Sequence, residues 1–146
     1  MNSVYKVELS VDKVLASGAY STLPFDSLKI STLGEWNIGT YEFSPNSSPQ
    51  ALQFSVRLNV LFNSGEQWTS GDNLGAKISW TNGSYEKTKV QSSDNTKEIG
   101  FGIDTLINLN TPSVIYAEIY HDSAVSHTLA SNSENNSLCI FGITRY

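Results

Sequence analysis

The sequence predicts an all-β domain, and three observations carry that expectation. The first is a twelve-residue alternation, ALQFSVRLNVLF, in which Leu52, Phe54, Val56, Leu58, Val60 and Phe62 share one phase and Gln53, Ser55, Arg57 and Asn59 the other. A helix would spread those apolar positions around its circumference, whereas a strand puts them on one face. The second is the density of short apolar runs separated by turn signals, the pattern of a sandwich, jelly roll or barrel. The third is composition. The 22 serines, 13 asparagines and 11 threonines favour turns and solvent-facing strand positions over helix interiors.

Taken in order, VYKVELSV alternates from Val4 to Val11, with Tyr5, Val7, Leu9 and Val11 opposite Lys6, Glu8 and Ser10. SLKIS (Ser27–Ser31) and GTYEFS (Gly39–Ser44) are shorter candidates, and Pro45 and Pro49 bracket a turn. AKISWTNGSYEKTKV holds Asn82-Gly83, a hairpin signal because a type I′ turn needs positive φ at both central residues. A turn on those two residues sets Trp80 opposite Tyr85 and Ile78 opposite Lys87. IGFGIDTLINL (Ile99–Leu109) and SVIYAEIYHDS (Ser113–Ser123) are parted by Thr111-Pro112, and SLCIFGITRY closes the chain. The expected total is about ten short antiparallel strands in one domain, residues 1–146. The closing run has bulky groups in both phases, Leu138 and Ile140 in one, Cys139, Phe141 and Ile143 in the other, as a strand covered on both faces would.

Composition narrows function. A net charge of −5, two arginines and seven scattered lysines make no phosphate-binding footprint, so no nucleic-acid partner is expected. No apolar run reaches the ~20 residues of a membrane helix. MNSVYKVELS lacks the basic and apolar regions of a secretory leader, so the expectation is a trimmed chain or export without a cleaved signal. A single cysteine, Cys139, excludes an intrachain disulfide and reads as an inert, buried thiol.

Chemistry is sparse. His121 and His127 fit no common zinc spacing and read as polar loop residues. Asp72-Asn73 and Asp94-Asn95 read as turn formers, with calcium kept as a secondary expectation. Glu118 and Asp122 read as an exposed face rather than an acid–base pair. There is no nucleophile elbow, HExxH or phosphate loop, so no enzyme, no resident cofactor and no metal is expected. Asn46, Asn82 and Asn135 match the glycosylation sequon, which matters only in a eukaryotic secretory setting. The ligand-binding candidates are Trp68 and Trp36, each in a polar Gly-bearing stretch, with Asp72 and Asn73 beside Trp68; a loop tryptophan can stack on a sugar or anchor a partner.

The runs GFGIDTLINL, SVIYAEIYHDS and SLCIFGITRY together resemble the C1q/TNF-like jelly rolls, with Phe141-Gly142-Ile143 at the family's closing strand; GEWNIGTYEFSP and PFDSLKIS resemble its upstream strands. The resemblance spans about Tyr5 to Tyr146. It implies a homotrimer whose C-terminal strand lies mid-sheet at the threefold axis, with Phe101, Ile103, Tyr116, Phe141, Ile143 and Tyr146 as candidate interface residues. The function it implies is non-catalytic recognition or assembly at an extracellular, virion or cell surface. Examples are a fibre head, a receptor-binding knob or a decoration protein that binds a glycan or protein, without membrane insertion. The alternative is a secreted lectin or signalling ligand.

Overall fold

The computed structural model describes residues 2–31, 35–44, 52–109, 114–131 and 133–144. The turn at Pro45–Pro49, the Thr111-Pro112 break, Asn46 and Tyr146 lie outside them, as do the side chains of Phe101 and Ile143.

Thirteen strands occupy the described residues: β1 (Asn2–Glu8), β2 (Lys13–Leu15), β3 (Ser21–Thr22), β4 (Ser27–Ser31), β5 (Glu35–Asn37), β6 (Glu42–Ser44), β7 (Leu52–Phe62), β8 (Asn73–Trp80), β9 (Gly83–Val90), β10 (Ile99–Leu109), β11 (Ile115–His121), β12 (His127–Leu129) and β13 (Ser137–Thr144). They form two antiparallel sheets. The first runs β2-β12-β7-β13-β1-β4 with β10 also on β7; the second runs β5-β6-β11-β8-β9 with β3 on β11. One apolar cluster fills the space between them, and Phe54 of the first sheet meets Phe43 of the second edge to face at 5.6 Å.

The long alternating run is β7. Its even residues Phe54, Val56, Leu58, Val60 and Phe62 are buried. It pairs with β10 along its whole length and with β13 from Leu52 to Asn59 on the other side. Beyond Asn59 that second partner changes from β13 to β12, at Leu129–Phe62. Asn136 bridges the gap: its Oδ1 accepts from the Leu61 N–H at 2.8 Å and its Nδ2 donates to the Ala130 carbonyl at 3.2 Å. The closing run is, as expected, an interior strand, flanked by β7 and β1.

Several local expectations are corrected. The hairpin turns on Thr81-Asn82, so Trp80 faces Gly83 and Ile78 faces Tyr85. Neither Asn82 nor Gly83 has positive φ, so the type I′ turn is not made. Trp80 lies across the partner strand instead, its indole 2.9 Å from where a Cβ on Gly83 would stand. Only glycine allows that approach. The strand expected over Gly39–Ser44 starts at Glu42, because Tyr41 takes a left-handed φ of 59° at the end of a turn whose Asn37 side chain accepts from the Gly39 N–H. The first strand stops at Glu8, where the Ser10 N–H turns to Asp26. The short strands β2, β3, β5 and β12 were not expected; two or three residues carry no readable period.

Asn136→Ala leaves the Leu61 N–H and the Ala130 carbonyl buried without that partner. The expected loss is about 1–3 kcal/mol, read as a lower urea midpoint with unchanged slope.

Candidate functional site

The outward face of the first sheet is the candidate site. Register stacks its residues into rows across four strands. One row is Lys6, Cys139, Arg57 and Asp104. The next is Phe141, Ser55 and Leu106, and beyond it Gln53 and Asn108. These positions lie on this face because β1, β13, β7 and β10 give their alternate residues to the core, so the polar phase of β7 and the second apolar phase of β13 emerge together.

Phe141, on the interior strand β13, is 47% exposed, and Leu106, in the same row on the edge strand β10, is 57% exposed. The charged row beside them is paired: Arg57 Nη2 lies 3.8 Å from Asp104 Oδ2, and Lys6 Nζ lies 3.2 Å from Glu134 and 3.9 Å from Glu8. A groove of about 470 Å³ runs between the rows, lined by Lys6, Arg57, Asn59, Asp104, Glu134 and Phe141 among others. Asn59, one of its lining residues, sits so close to Gly102 that a Cβ there would meet its Oδ1 at 2.9 Å. Cys139 is half-buried on this face, and burial pushes its thiol up from the ordinary value. The face offers apolar contact and paired charge.

The structure divides the expected site residues. Phe141 sits on the candidate face. Ile103 points the other way, into the core, because β10 gives its odd residues to the sandwich interior. Leu106, in the opposite phase, is the exposed residue of that strand. Tyr116 belongs to β11, where Ile115, Ala117 and Ile119 are the core phase, so it emerges half-buried on the outward face of the second sheet.

The two tryptophans are not surface residues. Trp68 is 0% exposed. Its loop is tied down by a bridge to Asn95, with N–H to carbonyl distances of 2.8 and 3.0 Å, and the ring turns inward against Phe62. Trp36 is 7% exposed and its Nε1 donates to the Phe25 carbonyl. Neither ring offers a face to a sugar. Asp72 accepts from the Thr69 N–H at 2.8 Å, and Asn73 donates its backbone and side-chain N–H groups to Asp122. Those bonds hold the Asp122 carboxyl below the usual carboxylate range. Asp94 accepts from the Ser70 N–H at 2.8 Å. These carboxylates order loops, and among the described residues no cluster of three His, Cys, Asp or Glu side chains is placed to hold a metal ion. Glu118 is no free surface acid: it accepts from Ser79 at 2.9 Å and pairs with Lys77 at 3.4 Å.

His121 and His127 are not loop residues either. They end β11 and begin β12, and both are fully buried beside Trp68.

No family model matches the sequence. No curated protein matches it either. Solved structures do match in shape. One is the structure of Eiger TNF from S. frugiperda, 8% identical, with a TM-score of 0.64 over 100% of this chain and 94% of that one. Another is the globular domain of zebrafish complement 1qA protein, 9% identical, with a TM-score of 0.58 over 99% and 98% of the two chains.

Raised by burial, the Cys139 thiol is expected to react with iodoacetamide at pH 8 more slowly than free cysteine does, with its rate still rising above pH 9. A rate equal to that of free cysteine would contradict its half-buried placement. At identities this low the likeness speaks for architecture, and it agrees with the two sheets described above: the chain has the C1q/TNF-like jelly-roll fold.

Proposed function

We propose that this chain is a non-catalytic recognition or assembly module that works as a homotrimer, joined through the outward face of its first sheet. The observation that carries the reading is the exposed Phe141 on the interior strand β13, in one row with exposed Leu106 and beside an ion-paired row. An exposed aromatic on β13 is costly in water. Covering Phe141, already about half shielded, contributes about 1 kcal/mol per subunit, and the charged row fixes which way a neighbour docks. Three copies then multiply a weak site into useful avidity.

The specific setting we propose is a fibre head, receptor-binding knob or decoration module of a virion or cell surface, with the chain as one domain over residues 1–146. With Trp36 and Trp68 in the core, the ligand contacts in this proposal fall to the Asn-, Ser- and Thr-bearing loops and to Ile38 and Val125, the exposed aliphatic residues of two of them. The second reading, a secreted lectin or signalling ligand, draws on the likeness to a TNF and to a complement globular domain.

Light scattering tests the shared core of both readings. The wild type is expected at three times its 16.0 kDa subunit mass. Phe141→Asp, placing a charge in the covered row, is expected to give monomer with its circular dichroism retained. A wild-type protein of subunit mass at tens of micromolar would end the trimer proposal.

A further inference from the structure

The end of the sandwich where β7 and β11 finish holds a feature that the trimer reading does not use. Phe62, Trp68, His121 and His127 form one buried aromatic cluster, each fully or almost fully shielded from solvent. His127 stacks on Trp68, with ring centres 3.6 Å apart and planes 10° from parallel. His121 meets His127 edge to face at 5.0 Å.

The partners fix both tautomers. His121 Nε2 lies 2.8 Å from the Leu15 carbonyl, which can only accept, so Nε2 carries the hydrogen. His121 Nδ1 is then a lone pair, buried and without a protein partner. His127 Nδ1 lies 3.1 Å from Glu66 Oε2, which also accepts from the Thr128 N–H at 2.9 Å, so Nδ1 donates. His127 Nε2 is again a buried lone pair without a partner. As a neutral group each ring has an acceptor for its one N–H. A proton added to either would create a buried N–H with nothing to receive it and a charge 5.0 Å from a second imidazole.

What these rings hold is weak by itself. β2 is three residues long and pairs only with β12, and β12 joins β7 at one position, Leu129–Phe62. The Leu15 carbonyl is gripped by His121, the Gly18 N–H bonds the His121 carbonyl at 2.8 Å, and His127 lies directly opposite Leu15.

We propose that His121 and His127 form an acid-sensitive latch: in neutral solution they clamp the β2–β12 ribbon and the 122–126 loop to the sandwich, and protonation of His127 releases them. The inference stands whether the chain is a monomer or a trimer. The charged groups bearing on the pair are Glu66 and Asp72, which favour protonated His127, and Asp122 beside His121. Against them stand burial and the second imidazole, and these win: His127 is held below the ordinary histidine value, first by burial and then by His121. The sign follows. An unfolded histidine protonates near 6.5, so as pH falls below that value the open ribbon takes up a proton the closed one refuses. The latch is at full strength above about pH 7, weakens below pH 6.5, and weakens no further once the closed form also protonates.

Hydrogen exchange read by mass spectrometry at pH 7.5 and 5.0, corrected for intrinsic rates, tests this on the wild type and on His127→Phe. In the wild type, amides in 11–18 and 122–131 should lose protection at pH 5.0 relative to pH 7.5, because the open ribbon takes up a proton that the closed one refuses. Those in β7 and β13 should keep theirs. His127→Phe preserves the stacked ring without the titrating nitrogen and should blunt the loss. Retained protection at pH 5.0, or loss spread evenly over the sandwich, overturns the proposal. Should the variant not fold, long-range 1H–15N spectra of the wild type decide: opening must track protonation of His127, and either event without the other overturns the latch.

Discussion

The double pairing of β7 is the constraint on which the rest of the sandwich depends. Eleven residues must give one side chain phase to the core, keep one ladder with β10 from end to end, and divide the other between β13 and β12. A ladder that changes partner leaves backbone groups exposed at the junction, and an unpaired buried N–H costs about as much as the bond it lost. Asn136 meets that cost with a side-chain amide, which is why a polar residue is almost wholly buried at the start of the closing strand. The position of β13 beside β7 then decides which residues of the C-terminal run emerge on the open face.

That face and the buried histidine cluster show two solutions to the same problem, polar groups near an apolar core. On the face, Arg57, Asp104, Lys6 and Glu134 stay close to water and pair at modest gain. Inside, His121 and His127 each donate to a partner that only accepts, a carbonyl and a carboxylate, and burial disfavours the charged form of His127. The second arrangement is the more sensitive to pH, because its uncharged state is a condition of burial rather than a preference.

The alternation that specifies β7 was legible because a strand buried on one face writes its period into the residues, whereas β4, β10 and β13 were legible as apolar runs between turn signals. Asn82-Gly83 misled for a related reason. The dipeptide favours a type I′ turn locally, but the indole of Trp80 needs a side chain-free position across the strand, and only Gly83 provides one. The polar neighbours of Trp68 and of the two histidines misled in the same way. They describe the backbone's surroundings in sequence, whereas burial is set by where Asn95 and Leu15 hold the loop and strand ends.

By itself the sequence determined the strand class of the chain, the core phase of β7, and the double-sided character of the terminal run, since each depends on periodicity within one segment. Only the tertiary structure decided that Leu106 rather than Ile103 shares a row with Phe141, that Trp36 and Trp68 are internal, and that His121 meets His127. Those facts depend on register and on contacts between segments far apart in the chain. A one-residue slip in register would exchange the two faces of a strand without altering a single local preference.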